Sequence, residues 1–157
     1  MVVLTYTISL ALSFATAFTG ARYRPGSWYQ SLRKPPGLPP PWVFPLVWTL
    51  LYILMALAAA MVWLAPAAPI RSAALILCAL QLVANAAWSW IFFGRRRMLL
   101  AWLDLSLLFA LVLIATILFF QIESVAGMLM LPYLLWLCVA FYLNGTVWWL
   151  NRAVSLR

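Results

Sequence analysis

WYQSLRKPPGLPPPWVFPLVWTLLY, residues 28–52, joins the longest polar stretch of this chain to one of its apolar runs. It opens on Trp28 and Tyr29, crosses the basic step Arg33–Lys34, and then carries five prolines between Pro35 and Pro41. Proline has no N–H and holds φ near the polyproline value, so this segment is neither helix interior nor central strand. The reading is a stiff extended loop. From Trp42 the chain turns apolar, with Trp48 and Tyr52 four residues apart and therefore on one helical face. A rigid, aromatic-flanked loop standing over a helix end has the makeup of a lid rather than a linker.

The rest of the chain sets that loop in a membrane. Of 157 residues 68% are apolar and 8% charged, and the mean hydropathy is +1.06. Five apolar runs, at about 2–20, 42–64, 70–93, 98–120 and 125–150, each approach the roughly 20 residues a helix needs to cross a hydrocarbon core. None alternates apolar and polar residues as a membrane strand would. The fold class is an all-α membrane protein, a single bundle of five transmembrane helices, with loop one (21–41) as a lid. The first run has no basic flank and no clear cleavage site, and is read as a retained helix.

The net charge of +8 invites a nucleic-acid reading, but the basic residues are sorted by loop. With five spans, loop one, loop three and the tail share a side, which holds Arg22, Arg24, Arg33, Lys34, Arg95, Arg96, Arg97, Arg152 and Arg157; Arg71 alone stands opposite. That asymmetry is an orientation signal, with the basic side also suited to anionic lipid heads, and not a nucleic-acid surface. It puts the N-terminus outside and the C-terminus in the cytoplasm; the short, tag-free N-terminus favours a bacterial cell membrane. There is no histidine, which removes the commonest metal ligand, haem ligand and general base together. No metal site is expected. Cys78 and Cys138 lie mid-span in no ligand pattern and read as packing residues.

Inside the spans, polar residues fall on stripes. Ser9, Ser13, Thr16, Ala17 and Gly20 give the first run a small-residue face suited to close packing. Gln81, Asn85 and Trp88 share a face of the third run. An amide in hydrocarbon needs partners, so Gln81 and Asn85 read either as interhelical glue or as polar handles in a pocket. Tyr133, Trp136, Ala140 and Asn144 form a stripe on the fifth run, continued by Asn151. Asp104 lies seven residues beyond Arg97, about 10 Å along a helix, and reads as a carboxylate facing the arginine cluster, with a proton or substrate role as the alternative. Converging beneath the loop, the stripes Trp48–Tyr52, Asn85–Trp88 and Tyr133–Trp136 would enclose an apolar pocket with a few hydrogen-bonding groups.

The stretches WYQSLRKP (28–35), PPPWVFPLVWTLLY (39–52), QLVANAAWSWIFFG (81–94), Asp104 and PYLLWLCVAFYLN (132–144), with ten tryptophans in the chain, resemble the tryptophan-rich sensory protein family, also called the translocator protein or peripheral benzodiazepine receptor family. The resemblance implies a five-helix bundle, often dimeric, whose pocket binds porphyrins and isoquinoline- or benzodiazepine-type drugs. It implies ligand contacts from Trp48, Asn85, Trp136 and Ala140; the stripes add Tyr52, Trp88 and Tyr133. Trp48 and Trp136 match residues proposed in bacterial relatives to support light-driven porphyrin breakdown. No resident cofactor is required; the porphyrin is the ligand.

Three departures stand out. Gly37, in KPPGLPP, replaces the family's usual loop-one tryptophan. Nine residues separate Tyr142 from Arg152, so the sterol-recognition pattern of animal members fails. A Gly-x-x-x-Gly in the third span is absent, with Ala74 and Cys78 in its place. The functional readings are then a porphyrin-binding protein or sensor, a photo-oxidative porphyrin-degrading enzyme, or a transporter using Asp104. No nucleophile–base pair supports hydrolysis.

The orientation is checked directly. A membrane-impermeant thiol reagent applied to intact cells should leave a Gln30→Cys variant unlabelled until the cells are permeabilised; labelling without permeabilisation reverses the topology.

Overall fold

The computed structural model describes residues 1–153; Arg157, counted above among the basic residues, lies outside them. Helix α1 spans Val2–Arg22, α2 Ser27–Ser31, α3 Val43–Leu64, α4 Arg71–Ser89, α5 Met98–Ile122 and α6 Ser124–Asn151. A π-helical turn, Trp90–Gly94, extends α4. Five helices, with α4 and its π-turn counted as one, are long and apolar enough to cross a membrane. This is an all-α bundle in which most backbone polar groups of a span are paired within its own helix, as hydrocarbon requires.

Local chemistry explains the helix ends. Pro45 stands third in α3, where its missing N–H leaves no intrahelical bond unmade. Glu123 caps α6 by accepting from the Val125 N–H at 3.2 Å. Pro132 lies inside α6, which continues through it, as membrane helices allow when neighbouring elements hold the segment. Ser27 does not cap α2. It is the first helical residue, Gly26 occupies the cap position, and Ser31 Oγ instead donates to the Trp28 carbonyl at 2.7 Å. Gly94 does not simply end α4 either. The helix widens over its last turn, with the Arg95 N–H bonding the Trp90 carbonyl at 2.8 Å, and Arg96 then turns the chain at φ 56°.

The core runs between α3, α5 and α6 and is built from Leu51, Met55, Leu108, Val112, Phe119, Met130 and Leu137. Helix α1 packs on α3 and α4 with Ser13 and Thr16 buried at the contact. Ala74 and Cys78, standing where a Gly-x-x-x-Gly might serve a partner helix, are buried inside the chain's own bundle. Cys138 is exposed, so of the two cysteines only Cys78 is a core packing residue.

Loop one, the turn after Gly94 and the end of α6 meet at one end of the bundle. The Asn151 side chain pairs with the backbone of Arg33 in both directions: Oδ1 accepts from the Arg33 N–H and Nδ2 donates to the Arg33 carbonyl, each at 2.9 Å. Trp28 and Tyr29 pack edge-on against Phe92 at 5.8 and 6.0 Å. These contacts tie loop one to the bundle end. Five basic side chains rest over aromatic rings, among them Arg95 on Trp90 at 4.7 Å and Lys34 on Tyr29 at 5.1 Å.

Close packing is tightest at Gly127 and Gly145, where an added Cβ would meet the rings of Phe120 and Trp102. A Cβ on Gly127 would overlap the ring of Phe120, whereas one on Gly20 would meet nothing nearer than Ser89 Oγ at 3.8 Å. Gly127→Ala should therefore lower the unfolding free energy by about 1–3 kcal/mol through overpacking. Gly20→Ala should be neutral or stabilising by up to about 1 kcal/mol through helix propensity. Thermal midpoints in detergent compare the two; equal midpoints would contradict the packing at Gly127.

Candidate ligand-binding site

Beneath loop one lies a cavity of about 90 Å³. Helix α3 contributes Phe44 and Trp48, α4 contributes Asn85 and Trp88, and α6 contributes Trp136, Ala140 and Asn144. Helix α5 closes one side with Leu105 and Leu108, the π-turn supplies Phe92 and Phe93, and loop one covers the top with Tyr29 and Leu38. The wall is largely aromatic. Trp48 stacks on Tyr52 at 5.5 Å, Trp88 on Phe92 at 5.1 Å, and Trp136 meets Phe44 edge-on at 5.8 Å.

Of the residues singled out from the sequence, Trp48, Asn85, Trp88, Trp136 and Ala140 line this cavity together. Tyr52 and Tyr133 do not. Both are buried beside it, and their hydroxyls are taken up by the α4 amides. Tyr52 donates to Asn85 Oδ1 at 3.1 Å, and Asn85 Nδ2 donates to the Tyr133 hydroxyl at 2.6 Å. Tyr133 in turn donates to Gln81 Oε1 at 3.1 Å, while Gln81 Nε2 points at Met55 Sδ at 3.5 Å. Asn85 is thus interhelical glue, joining α3, α4 and α6, and it also forms cavity wall. Gln81 is fully buried and is glue alone.

Several wall residues escape the sequence reading. Asn144 has a visible signal, since it continues the Trp136–Ala140 spacing. Leu105 and Leu108 have none, being two leucines among many on α5. Phe92 and Phe93 are consecutive, and both reach the cavity at the widened turn, a geometry that no regular helical spacing predicts. The lid contact falls to Leu38. Gly37 adopts φ 76°, a left-handed conformation that favours glycine, so the family's tryptophan position is used here as a turn.

Two buried atoms among the wall residues lack partners among the described residues: the Trp88 indole N–H, a donor, and Asn144 Oδ1, an acceptor. The Asn144 amide is oriented by its Nδ2, which donates to the Met98 carbonyl at 3.2 Å. Burial raises the Tyr29 phenol above its ordinary pKa, so it stays a neutral donor at the lid at physiological pH. Asp104 is half-buried on α5, and its Oδ2 has no hydrogen-bond partner among the described residues. Among the described residues no group of three His, Cys, Asp or Glu side chains comes together as a metal site.

Five apolar spans around an aromatic cavity roofed by loop one define a multi-pass helical membrane protein. Residues 2–150 match the TspO/MBR family. The chain is 42% identical over 144 residues to the tryptophan-rich sensory protein of Cereibacter sphaeroides, covering 90% of this chain and 88% of that one. It is 36% identical over 156 residues to the tryptophan-rich protein TspO of Chlorobaculum tepidum (95% and 97%), and 38% identical over 136 residues to the translocator protein of Homo sapiens (83% and 80%). This chain belongs to the TspO/MBR family.

The hydroxyl–amide chain beside the cavity has unequal members. Tyr133→Phe leaves both Gln81 Oε1 and Asn85 Nδ2 without a partner, at a cost of about 1–3 kcal/mol for each group stranded. Tyr52→Phe strands only one lone pair of Asn85 and should cost less. Unfolding in mixed micelles should rank wild type above Tyr52→Phe above Tyr133→Phe; a reversed order would contradict the bonding pattern.

Proposed function

We propose that this chain is a membrane binding protein or sensor for planar, hydrophobic ligands of the porphyrin type, and that isoquinoline- and benzodiazepine-type molecules occupy the same cavity. The observation that carries this reading is the joining of Trp48, Trp88 and Trp136 around one water-poor compartment. Indoles present the largest π-faces available for stacking on a macrocycle. The unpartnered Trp88 N–H and Asn144 Oδ1 suit a ligand offering one acceptor and one donor, since each buried polar atom gains most from a partner of opposite sense. With no histidine in the chain, the ligand is metal-free protoporphyrin, or haem held without imidazole. The ligand is transient cargo or signal and not a resident cofactor.

Closed, the cavity of about 90 Å³ is well below the roughly 300–1,000 Å³ of pockets for drug-sized molecules. Entry therefore requires Tyr29 and Leu38 to lift, with loop one swinging about its Asn151 anchor. The basic end of the bundle is the cytoplasmic one on this reading, so the ligand arrives from the cytoplasmic leaflet or the cytoplasm. A homodimer is compatible with the proposal but not required by it, because one chain supplies every wall.

A second reading is favoured by the same pair of residues. Trp48 and Trp136 both line the cavity, and an indole beside an excited porphyrin can donate an electron to it, which would make the protein a photo-oxidative porphyrin-degrading enzyme.

One set of titrations separates these. Protoporphyrin added to the purified protein should perturb the Soret band at one site per chain; no perturbation at micromolar ligand refutes the proposal. Ala140→Leu, which adds volume at the wall, and Asn85→Ala should both weaken binding. Trp48→Phe and Trp136→Phe keep most of the apolar face and should weaken it by only about 0.5–1.5 kcal/mol. If the photochemical reading holds, light-driven bleaching at saturating occupancy should fall much further in these two variants than binding does. Equal bleaching in all three proteins leaves a binding protein.

A further inference from the structure

The loop-one end of the bundle carries a second concavity that shares no lining residue with the cavity above. It is an open groove of about 690 Å³ between the start of α5 and the end of α6. Its floor is apolar, built from Leu99, Leu100 and Leu103, which are 40%, 52% and 52% exposed. Trp148 forms a stiff wall, stacked on Trp102 at 5.8 Å with planes 16° apart. Its rim is basic. Arg97 immediately precedes α5, Arg152 immediately follows α6, and the Arg152 guanidinium is steadied over the Trp149 ring at 4.8 Å.

The arrangement is amphipathic along the membrane normal. The leucines belong to the first turns of a 25-residue span and so face acyl chains, while the arginines stand at the depth of lipid headgroups. Among the described residues no acidic side chain lines the groove. An aqueous phosphate would neutralise the guanidiniums and leave the leucine floor uncovered. A zwitterionic lipid would cover the floor but bring a choline cation against two arginines. An anionic glycerophospholipid meets both demands, with its phosphate taken by charge-assisted hydrogen bonds from the rim and its chains laid on the leucines.

We propose that the groove bounded by Arg97, Arg152, Leu99, Leu100, Leu103 and Trp148 is a binding site for an anionic glycerophospholipid. The proposal is independent of what occupies the aromatic cavity, and its failure would leave that reading untouched.

Native mass spectrometry of the full chain released from nanodiscs of equal phosphatidylglycerol and phosphatidylcholine tests it. The wild type should retain phosphatidylglycerol preferentially. Each of Arg97→Gln and Arg152→Gln should reduce that retention roughly fivefold, and the double variant roughly thirtyfold, at about one kcal/mol per surface cation. Leu103→Trp, which fills the floor while keeping both arginines, should also lower retention. Arg71→Gln, at the opposite end, should leave it unchanged, and millimolar glycerol phosphate should not displace the lipid. Equal retention of the two lipids by wild type, undiminished retention in the double arginine variant, or displacement by glycerol phosphate would each overturn the proposal.

Discussion

A carboxamide buried in a membrane must find its partners inside the protein, and Asn85 does so with two tyrosines from two other helices. Its Oδ1 accepts from Tyr52 on α3, and its Nδ2 donates to Tyr133 on α6. Lipid tails offer no competing hydrogen bonds, and apolar packing between spans gains little over packing against lipid. Directional bonds of this kind therefore do much to choose which faces of α3, α4 and α6 meet. Gln81, one turn earlier on α4, extends the chain through Tyr133 and gives the junction a second layer. With the tyrosines drawn to the amides, the larger indoles of Trp48, Trp88 and Trp136 are left to wall the space above. The cavity follows from the network.

A second amide sets the other boundary. Asn151, at the last turn of α6, matches both backbone groups of Arg33 as a neighbouring strand would. It holds loop one across the bundle end where prolines deprive the loop of backbone donors of its own. Pro35 is buried and Leu38 reaches the cavity, so the loop is stiff between a fixed point and a contact point. The aromatic contacts of Trp28 and Tyr29 with Phe92 are individually modest, and they couple the lid to the π-turn that also supplies cavity wall. Lid position and wall shape are thereby linked through shared residues.

The two concavities divide the chemistry of this end of the protein. One is aromatic and sparingly polar, set among the helices beneath loop one. The other is open, aliphatic and rimmed by arginine. Helix α5 serves both, turning Leu105 and Leu108 inward and Leu99, Leu100 and Leu103 outward. Having apolar residues on every side suits a span that meets protein on one face and lipid on another.

Amino-acid order by itself determined the class, the five spans, the proline-stiffened loop and part of the cavity wall. Run length measures a span, proline forbids regular structure, and residues four apart on a helix must share a face. The membership of Trp48, Asn85, Trp88, Trp136 and Ala140 in one site was legible for that reason. What spacing could not give was how far each helix rotates about its axis. Tyr52 and Tyr133 lie on the same stripes as Trp48 and Trp136, yet the buried amides of α4 claim their hydroxyls and take them out of the wall. Leu105, Leu108 and Leu38 joined the site only because α5 and the loop arrive there, and the π-turn that admits both Phe92 and Phe93 departs from the period on which spacing arguments rest.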